Sequence, residues 1–327
     1  MQIDLPTINI KPLRQNFDHL TARFGDKPAS RYQEATYDIQ QTYLYHYKPT
    51  WEPELEIFDE RRTAIRMKDW YDFKDPRQFY YGTYTLARSR MQDAADAAFE
   101  FALDSGMPEA LPDAARRLIV EVAVPMRHYE WGANMNNTFI SAYGYGTAIE
   151  AACMFAAMDR LGIAQQLSRV GLAVDGEAAL DDAKARWMDA AEFQPLRRLV
   201  EDTFVAKDWF ELFVAQNLAM DGWLHPFLYT HVEQLSLKES GAFFGLSSKF
   251  QKDWSAETVR WVDAMVKAAI GDSDANRNLV AGWVVHYTAR TREAVEALAA
   301  AVFGDEAASV VSVIDEAFAA RLTKIGL

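Results

Sequence analysis

The chain has 327 residues, of which 50% are hydrophobic and 13% aromatic, and its formal net charge is −13. This length allows one large domain or two smaller ones, and the apolar content excludes disorder as a description of the whole chain. The acidic balance argues against a nucleic-acid backbone or an anionic membrane as the main partner.

The sequence contains one cysteine, Cys153, so a disulfide framework and a cysteine-rich metal site are excluded within the chain. Its neighbours between Ala151 and Ala157 are apolar, which favours a buried thiol over a reactive one. No basic segment followed by a long apolar run opens the chain, and no stretch approaches 18 uninterrupted apolar residues. We therefore expect a cytoplasmic protein without a membrane span.

Residues 1–70 differ from the rest in holding five prolines and no sustained helical period. Aromatic residues are interspersed with polar ones there, namely Tyr32, Tyr37, Tyr43, Tyr45, Tyr47 and Trp51. This composition predicts an extended arm over 1–70, which needs a surface to cover its aromatic side chains. A partner subunit is the favoured surface, and the chain's own helices are the alternative.

Helical signals dominate residues 71–327 and predict an all-α bundle of long helices, without strands or a fixed-period repeat. A capping aspartate before a proline, Asp75-Pro76, predicts a helix that runs to about Leu103. A helix opened by Pro112 should be interrupted at Pro125. Further helices are expected over about 126–161, 177–189, 195–224, 255–270, 274–303 and 305–324.

Helical bundles often hold metals between their helices, and the sequence can be tested for this. A di-iron carboxylate site needs Glu-x-x-His on two helices, because that spacing places both ligands on one helix face. No acidic residue stands three positions before any of the six histidines, His19, His46, His128, His225, His231 and His286. Motifs of zinc proteases, phosphate loops and serine hydrolases are also missing. We predict no catalytic or metal-binding residue, although 47 acidic residues leave a carboxylate pair open.

Two polar stripes remain as candidates for an interface or a structural hydrogen-bond network. At about 100° per residue, the members of the first stripe fall within roughly 80° of one another on one helix. They are Arg127, Glu130, Asn134, Asn137 and Ser141. The second stripe, near Pro226, consists of Glu211, Asp221 and His225. Proton handling or ligand binding is the functional interpretation, whereas a satisfied network that fixes helix register is the favoured one.

Five separated segments, in order, resemble the β subunit of the oxygenase component of bacterial multicomponent monooxygenases, and most closely that of phenol hydroxylase. The segments are Arg23-Phe-Gly-Asp-Lys-Pro-Ala-Ser-Arg-Tyr-Gln-Glu-Ala35, Asp75-Pro-Arg-Gln-Phe-Tyr-Tyr81, Arg127-His-Tyr-Glu-Trp-Gly-Ala-Asn-Met-Asn-Asn137, Met158-Asp-Arg-Leu-Gly-Ile163 and Asp208-Trp-Phe-Glu-Leu-Phe-Val-Ala-Gln-Asn217. The resemblance implies a ferritin-like bundle paired with a catalytic α subunit. In that family, α holds two irons through Glu-x-x-His motifs that β lacks, and here Glu130 is followed three residues later by Ala133.

The resemblance also implies an assembly of two α, two β and two γ chains. A small regulatory protein and a reductase with NADH, FAD and an iron–sulfur cluster would complete a system that hydroxylates phenol-type aromatics with O2. The leading hypothesis is a non-catalytic scaffold subunit that contacts α through the N-terminal arm and the 127–141 or 211–225 helices. A stand-alone helical-bundle enzyme with a degenerate metal or carboxylate site is the alternative. A bundle that binds substrate and signals to α is the third.

Overall fold

The computed structural model describes residues 16–42, 50, 52–239 and 241–327, and these form a bundle of α-helices without strands. Fourteen α-helices follow one another over these residues. They are α1 Asp18–Phe24, α2 Arg31–Glu34, α3 Tyr81–Asp104, α4 Asp113–Leu118, α5 Met126–Tyr143, α6 Thr147–Asp189, α7 Gln194–Thr203, α8 Trp209–Phe213, α9 Asp221–Pro226, α10 Glu233–Lys238, α11 Ala242–Ser247, α12 Lys249–Asp272, α13 Asp274–Phe303 and α14 Ala307–Ile325. The expected all-α bundle is confirmed.

The long helix α3 begins five residues later than the Asp75-Pro76 signal predicts. The Asp75 carboxylate instead accepts hydrogen bonds from the backbone and side chain of Arg77, at 2.9 Å each. Gln78 then adopts a left-handed backbone conformation with φ of 53°, which ends this turn before the helix can start. The local capping signal is thus used for a turn, and the prediction of the helix start is wrong.

The stretch from 126 to 161, expected as one helix, consists of α5 and the beginning of α6. The two helices are separated at Gly144–Gly146, where Gly146 has a φ of 96° and lies against the Trp70 backbone and side chain. A left-handed residue at such a close approach favours glycine. Further along, α6 bends at Asp175 and Gly176, whose φ and ψ are not helical. The helix predicted over 177–189 is the part of α6 beyond this bend.

A second long helical path runs from α8 through α9 to α10 and contains two π-helical turns, Val214–Met220 and Phe227–Val232. Its start is separated from α7, against the prediction of one helix over 195–224. Asp208 caps α8 by accepting hydrogen bonds from the Phe210 and Glu211 amides, at 2.9 and 3.0 Å. Such capping by aspartate stabilises a helix start at this position. The π-helical turns lie on both sides of α9 and widen the helix there.

Large aromatic side chains fill the centre of the bundle. Trp209, Trp223, Trp254 and Trp261 are each at most 1% exposed, and they belong to one continuous apolar core. Cys153 is also fully buried, which confirms the prediction of a buried core residue, and burial raises the pKa of its thiol.

The described part of residues 1–70 packs on the chain's own helices. Leu20, Tyr32 and Tyr37 form a small apolar cluster that contacts Tyr71. The side chain of Gln40 bridges the α5–α6 connection by hydrogen bonds to the Gly144 carbonyl and the Gly146 amide. The aromatic residues Tyr43, Tyr45, Tyr47 and Trp51 lie outside the described residues. Contact of the 1–70 arm with a partner stays a prediction.

One stretch, Asp274–Ile325, has the length and the mean hydropathy, 1.6, of a membrane-spanning segment. The core helices of water-soluble proteins pass the same test of length and composition. The turn at Gly304–Glu306 divides this stretch into α13 and α14, which pack against each other. These two helices form a helical hairpin whose inner side belongs to the main core.

Candidate functional site

A buried ionic centre lies where three helices of the bundle meet. The guanidinium of Arg160 on α6 is fully buried and donates from Nη1 to Glu130 Oε2 on α5, at 2.8 Å. Its Nη2 donates to Asp221 Oδ2 on α9. The Nε2 atom of His225, also on α9, lies 3.1 Å from Arg160 Nη1. We call Glu130, Arg160, Asp221 and His225 the ionic centre.

The sequence brings these side chains together through helical spacing. Asp221 and His225 are four residues apart, which places both on one face of α9. Arg160 shares its face of α6 with Ala156, Ile163 and Leu167, all of them buried. An arginine within such an apolar stripe must enter the core, where only a set of acceptors can compensate its lost hydration.

A second layer of polar and aromatic groups surrounds the ionic centre. The Tyr129 hydroxyl donates to Asp221 Oδ1, and the Gln216 amide donates to the Tyr129 oxygen at 2.8 Å. The indole of Trp254 lies 4.4 Å from the guanidinium carbon, a cation–π contact that favours the buried positive charge. Ser255 Oγ is 3.2 Å from His225 Nδ1. This shell holds the charged side chains in one geometry.

Mutual attraction keeps Glu130 and Arg160 charged in spite of burial. Burial opposes ionisation of Glu130, but the positive charge of Arg160 and hydrogen bonding to His225 hold its pKa below the usual range. Burial likewise disfavours the charged form of Arg160, and Asp221 and Glu130 outweigh it and raise the pKa of the guanidinium. Burial, reinforced by Asp221, raises the pKa of Tyr129 well above its ordinary value, so this phenol stays protonated.

The ionic centre does not fit the di-iron pair that the resemblance implies for the partner subunit. Such a pair needs Glu-x-x-His from two helices, whereas this centre holds one histidine and two carboxylates. The guanidinium itself lies between Glu130 and Asp221 and binds one oxygen of each carboxylate. Over the part of the chain that the structure describes, no group of three His, Cys, Asp or Glu residues is placed to hold a metal ion.

A second buried network lies beside the ionic centre. Asp159, adjacent to Arg160 in the sequence, accepts from Tyr84 Oη, Arg88 Nε and Trp254 Nε1 at 2.9, 2.9 and 2.7 Å. Arg88 also pairs with Glu257 on α12 at 3.0 Å. Trp254 therefore contacts both networks, and together they connect α3, α5, α6, α9 and α12.

Of the eight residues in the two predicted polar stripes, three meet in the ionic centre: Glu130, Asp221 and His225. Asn137 forms reciprocal hydrogen bonds with Asn217, at 3.2 and 3.1 Å. Glu211 lies elsewhere and accepts from the Tyr287 hydroxyl at 3.0 Å.

The other three members of the first stripe satisfy backbone carbonyls. Arg127 donates to the Leu180 carbonyl at 2.7 Å, Asn134 to that of Ala157 at 2.7 Å, and Ser141 to that of Glu150 at 3.0 Å. These bonds connect α5 to α6, and contacts of this kind fix the register between two packed helices.

Sequence reasoning missed Arg160 and the groups that surround the ionic centre, among them Tyr129 and Gln216. Arg160 could have been found as the charged residue in an otherwise apolar stripe of α6. Tyr129 and Gln216 carry no such signal, because tyrosine is intermediate in its burial and glutamine is mostly found on the surface.

The outward side of α5 and α6 is apolar and exposed. Trp131 and Met135 on α5 are 51% and 44% exposed, and they stand one turn apart. Large apolar side chains on one face of α6 are exposed to a similar degree, namely Met154, Met158, Leu161 and Leu172. We call these six residues the α5/α6 face. Part of it lines a surface groove of about 430 Å³ between Trp131, Leu161 and Leu172. Contiguous exposed apolar surface of this kind marks interaction sites.

Comparison with known proteins places this chain in a family. The family described as methane/phenol/alkene hydroxylase matches residues 51–273. The chain is 45% identical to the phenol 2-monooxygenase oxygenase component DmpL of Pseudomonas sp. strain CF600, over all of this chain and 98% of that protein. It is 23% identical to the toluene-4-monooxygenase hydroxylase component subunit beta of Ectopseudomonas mendocina, over 88% of this chain and 90% of that protein.

A solved structure supports the same assignment. The xenon-pressurised phenol hydroxylase of Pseudomonas sp. OX1 contains a chain that is 41% identical and superposes with a TM-score of 0.91, covering 98% of each chain. A chain of toluene 4-monooxygenase, at 18% identity and a TM-score of 0.77 over 93% of this chain and all of that one, shares the fold. The ferritin-like bundle expected from the resemblance is therefore confirmed, and the chain belongs to the methane/phenol/alkene hydroxylase family.

Proposed function

We propose that this chain is the non-catalytic β subunit of the hydroxylase component of a multicomponent aromatic monooxygenase. It would scaffold a di-iron α subunit in an (αβγ)2 complex in the cytoplasm. That complex would hydroxylate phenol-type aromatics with O2, using electrons that a reductase with FAD and an iron–sulfur cluster takes from NADH. The names of two relatives, a phenol 2-monooxygenase oxygenase component and a hydroxylase component subunit beta, support this assignment.

The position of Arg160 is the observation that carries the proposal. A ferritin-like oxygenase subunit binds its metals between facing helices, with carboxylates and histidines pointing inward. Here the inward carboxylates, Glu130 and Asp221, are both engaged by a guanidinium that is never deprotonated under ordinary conditions. A chain built in this way keeps the architecture of the oxygenase and leaves the redox chemistry to a partner.

The α5/α6 face supports a scaffold role and modifies the hypothesis about the interface. Glu130, Asn137 and Ser141 of the first polar stripe bond within the chain, so they do not supply the contact. On the same helix, Trp131 and Met135 point outward and are exposed. Aromatic and methionine side chains are enriched in interface cores, and obligate interfaces resemble a domain core cut in half. We therefore assign the α contact to the outward side of α5 and α6.

Co-expression with and without the neighbouring hydroxylase genes tests the proposal. We expect the chain to purify with an α and a γ chain as a (αβγ)2 particle, with the iron retained by α after the subunits are separated. The chain expressed alone should be poorly soluble or associate non-specifically. A stable, soluble monomer at micromolar concentration would contradict the scaffold role.

Elemental analysis distinguishes the scaffold from a stand-alone enzyme. Stoichiometric iron or manganese in the isolated chain would favour a degenerate metal site and overturn the proposal. Calorimetry with phenol tests the third hypothesis, a substrate-sensing bundle, for which we expect no binding to the isolated chain.

A further inference from the structure

The ionic centre contains the side chains of a divalent-metal site, but its cation is an amino acid. Carboxylates and a histidine from two helices, α5 and α9, are the usual ligands of Zn²⁺, Fe²⁺ or Co²⁺. We propose that the guanidinium of Arg160 acts as the permanent cation of a metal-type site formed by Glu130, Asp221 and His225, and that removing it uncovers a site for a divalent ion. This inference concerns the chain's own residues and holds whether or not the proposed function is right.

The distances between the potential ligand atoms support this assignment. Glu130 Oε1 and Asp221 Oδ1 each lie 3.6 Å from His225 Nε2. Two tetrahedral ligands that are each about 2.1 Å from one ion stand about 3.4 Å apart, so a small inward shift would suffice. The remaining oxygens, Glu130 Oε2 and Asp221 Oδ2, bind the guanidinium, which occupies the space between the two carboxylates. This explains why they do not already form a metal site.

The negative charge of two buried carboxylates explains why the ionic centre contains a cation. Glu130 and Asp221 are 1% and 7% exposed, and two carboxylates in that position repel each other unless a positive charge lies between them. A guanidinium has a permanent charge and a planar fork of donors, so it can bind both carboxylates at once. It also makes the fold independent of metal supply, since a metal-bridged core would weaken whenever the ion is lost.

The supporting groups are arranged for this position of the cation. The Trp254 ring covers the guanidinium from one side, while Tyr129 and Gln216 bind the Asp221 oxygen that faces His225. Hydrogen bonds of this second layer orient metal ligands in proteins that do bind ions. In the variants below they would continue to hold Asp221 after the guanidinium is removed.

Replacement of Arg160 by alanine tests the proposal in the full-length chain, in the assembly in which it purifies. We expect the Tm of Arg160→Ala to fall by about 5–10 °C, because two buried carboxylates lose their counter-charge. Millimolar methylguanidinium should restore at least half of this loss. Co²⁺ should restore a similar part and produce the visible absorption bands of a histidine-ligated site. The wild-type Tm should respond to neither cation.

Two matched variants separate this outcome from general effects of the additives. In Arg160→Ala/His225→Ala, the Co²⁺ bands attributable to this site should disappear while methylguanidinium still stabilises. This comparison also removes any signal from a metal site on a partner chain. In Arg160→Leu, an apolar side chain fills the space, so neither cation should raise the Tm.

Restoration of Arg160→Ala by methylguanidinium without any effect of Co²⁺ would overturn the proposal, because the centre would then be an ordinary salt bridge. An Arg160→Ala variant with the same Tm as the wild type would also overturn the proposal. If Arg160→Ala does not fold, the single variant Arg160→Met and the triple variant Arg160→Met/Glu130→Gln/Asp221→Asn test whether the guanidinium compensates the charge of the two carboxylates. The triple variant should regain most of the stability that the single variant loses, and failure to do so would contradict a charge-compensating role.

Discussion

The inward and outward sides of α5 differ in a way that reverses the usual distribution of polarity. On the inward side, Glu130 binds a buried arginine, and on the outward side, Trp131 is half exposed although it is the next residue. Globular proteins normally bury aromatic side chains and expose charges. The inverted arrangement is explained if the inner polar groups form one paired network and the outer apolar groups are covered by another chain. In the proposed assembly, such a helix would be enclosed on both sides.

The largest expected effect comes from breaking the inner side. Glu130→Ala leaves the Arg160 guanidinium buried with one carboxylate fewer, and we expect a loss of about 3–5 kcal/mol in the free energy of unfolding. Urea denaturation followed by tryptophan fluorescence measures this. Glu211→Ala serves as the control, because Glu211 accepts a hydrogen bond from Tyr287 outside the ionic centre and should cost about 1–2 kcal/mol. Equal losses in the two variants would argue against a special role of the centre.

Breaking the outer side should affect assembly and leave the fold intact. Trp131→Asp places a charge in the α5/α6 face, and we expect partner affinity to fall by about 2–4 kcal/mol, as for a buried aromatic anchor. The free energy of unfolding of the chain should fall by only about 1 kcal/mol, from the lost edge-on contact between Trp131 and Phe204. Val285→Asp, on the exposed side of α13 and 71% exposed in the wild type, is the matched control. Co-purification with the α chain, quantified by size-exclusion chromatography, distinguishes them. A fully assembled Trp131→Asp complex would place the interface elsewhere.

Glu150 on α6 is a second carboxyl group, and it sharpens the comparison because its environment is different from that of Glu130. Burial raises the pKa of Glu150 on α6 to about 7, against a hydrogen bond to Gln40 that lowers it. A raised carboxyl pKa means that the folded state binds the proton more tightly than the unfolded state. Its contribution to stability is present below about pH 4.5 and is lost as the pH rises through about 7.

Glu150→Gln removes this titration and should be more stable than the wild type by about 2 kcal/mol at pH 8. The two proteins should have nearly equal stability at pH 5, where the carboxyl of the folded wild type is protonated. Urea denaturation at both pH values measures the difference. A stability difference that is the same at pH 5 and pH 8 would show that Glu150 is ionised in the folded protein throughout.

Substitutions of two glycines, one on α5 and one on α6, are expected to have the smallest effect on stability. A Cβ at Gly132 on α5 would lie 2.5 Å from Val200 Cγ1, so Gly132→Ala should cost about 1–2 kcal/mol by overpacking against α7. A Cβ at Gly162 on α6 would meet nothing within 4 Å, so Gly162→Ala should stabilise the chain by about 0.5–1 kcal/mol through helix propensity. Thermal denaturation of the two variants should therefore shift in opposite directions. The same sign for both would contradict the close α5–α7 packing.

Some features of the ionic centre were predictable from helical spacing, and others were not. Periodicity places Glu130 on one stripe and Asp221 with His225 on another, and each stripe requires partners when it is buried. Periodicity does not specify which helices pack together, so it cannot predict that these stripes meet at Arg160. Glu211 shares the second stripe in the sequence but lies apart, because the π-helical turn Val214–Met220 separates it from Asp221 and changes the helical phase.

For the secondary structure, too, some features were predictable from the sequence and others were not. The all-α class follows from apolar periodicity over most of the chain, and a test of six histidines already argues against a di-iron motif. The start of α3, the Gly144–Gly146 break and the gap before α8 depend on contacts with distant residues. Gly146, for example, is confined by Trp70, which is 76 positions away in the sequence. Residue types and their spacing thus determine class, family and the inventory of charged groups. Which charges meet in the core, and which apolar side chains remain exposed, is decided only when the helices pack, because both depend on contacts between residues far apart in the chain.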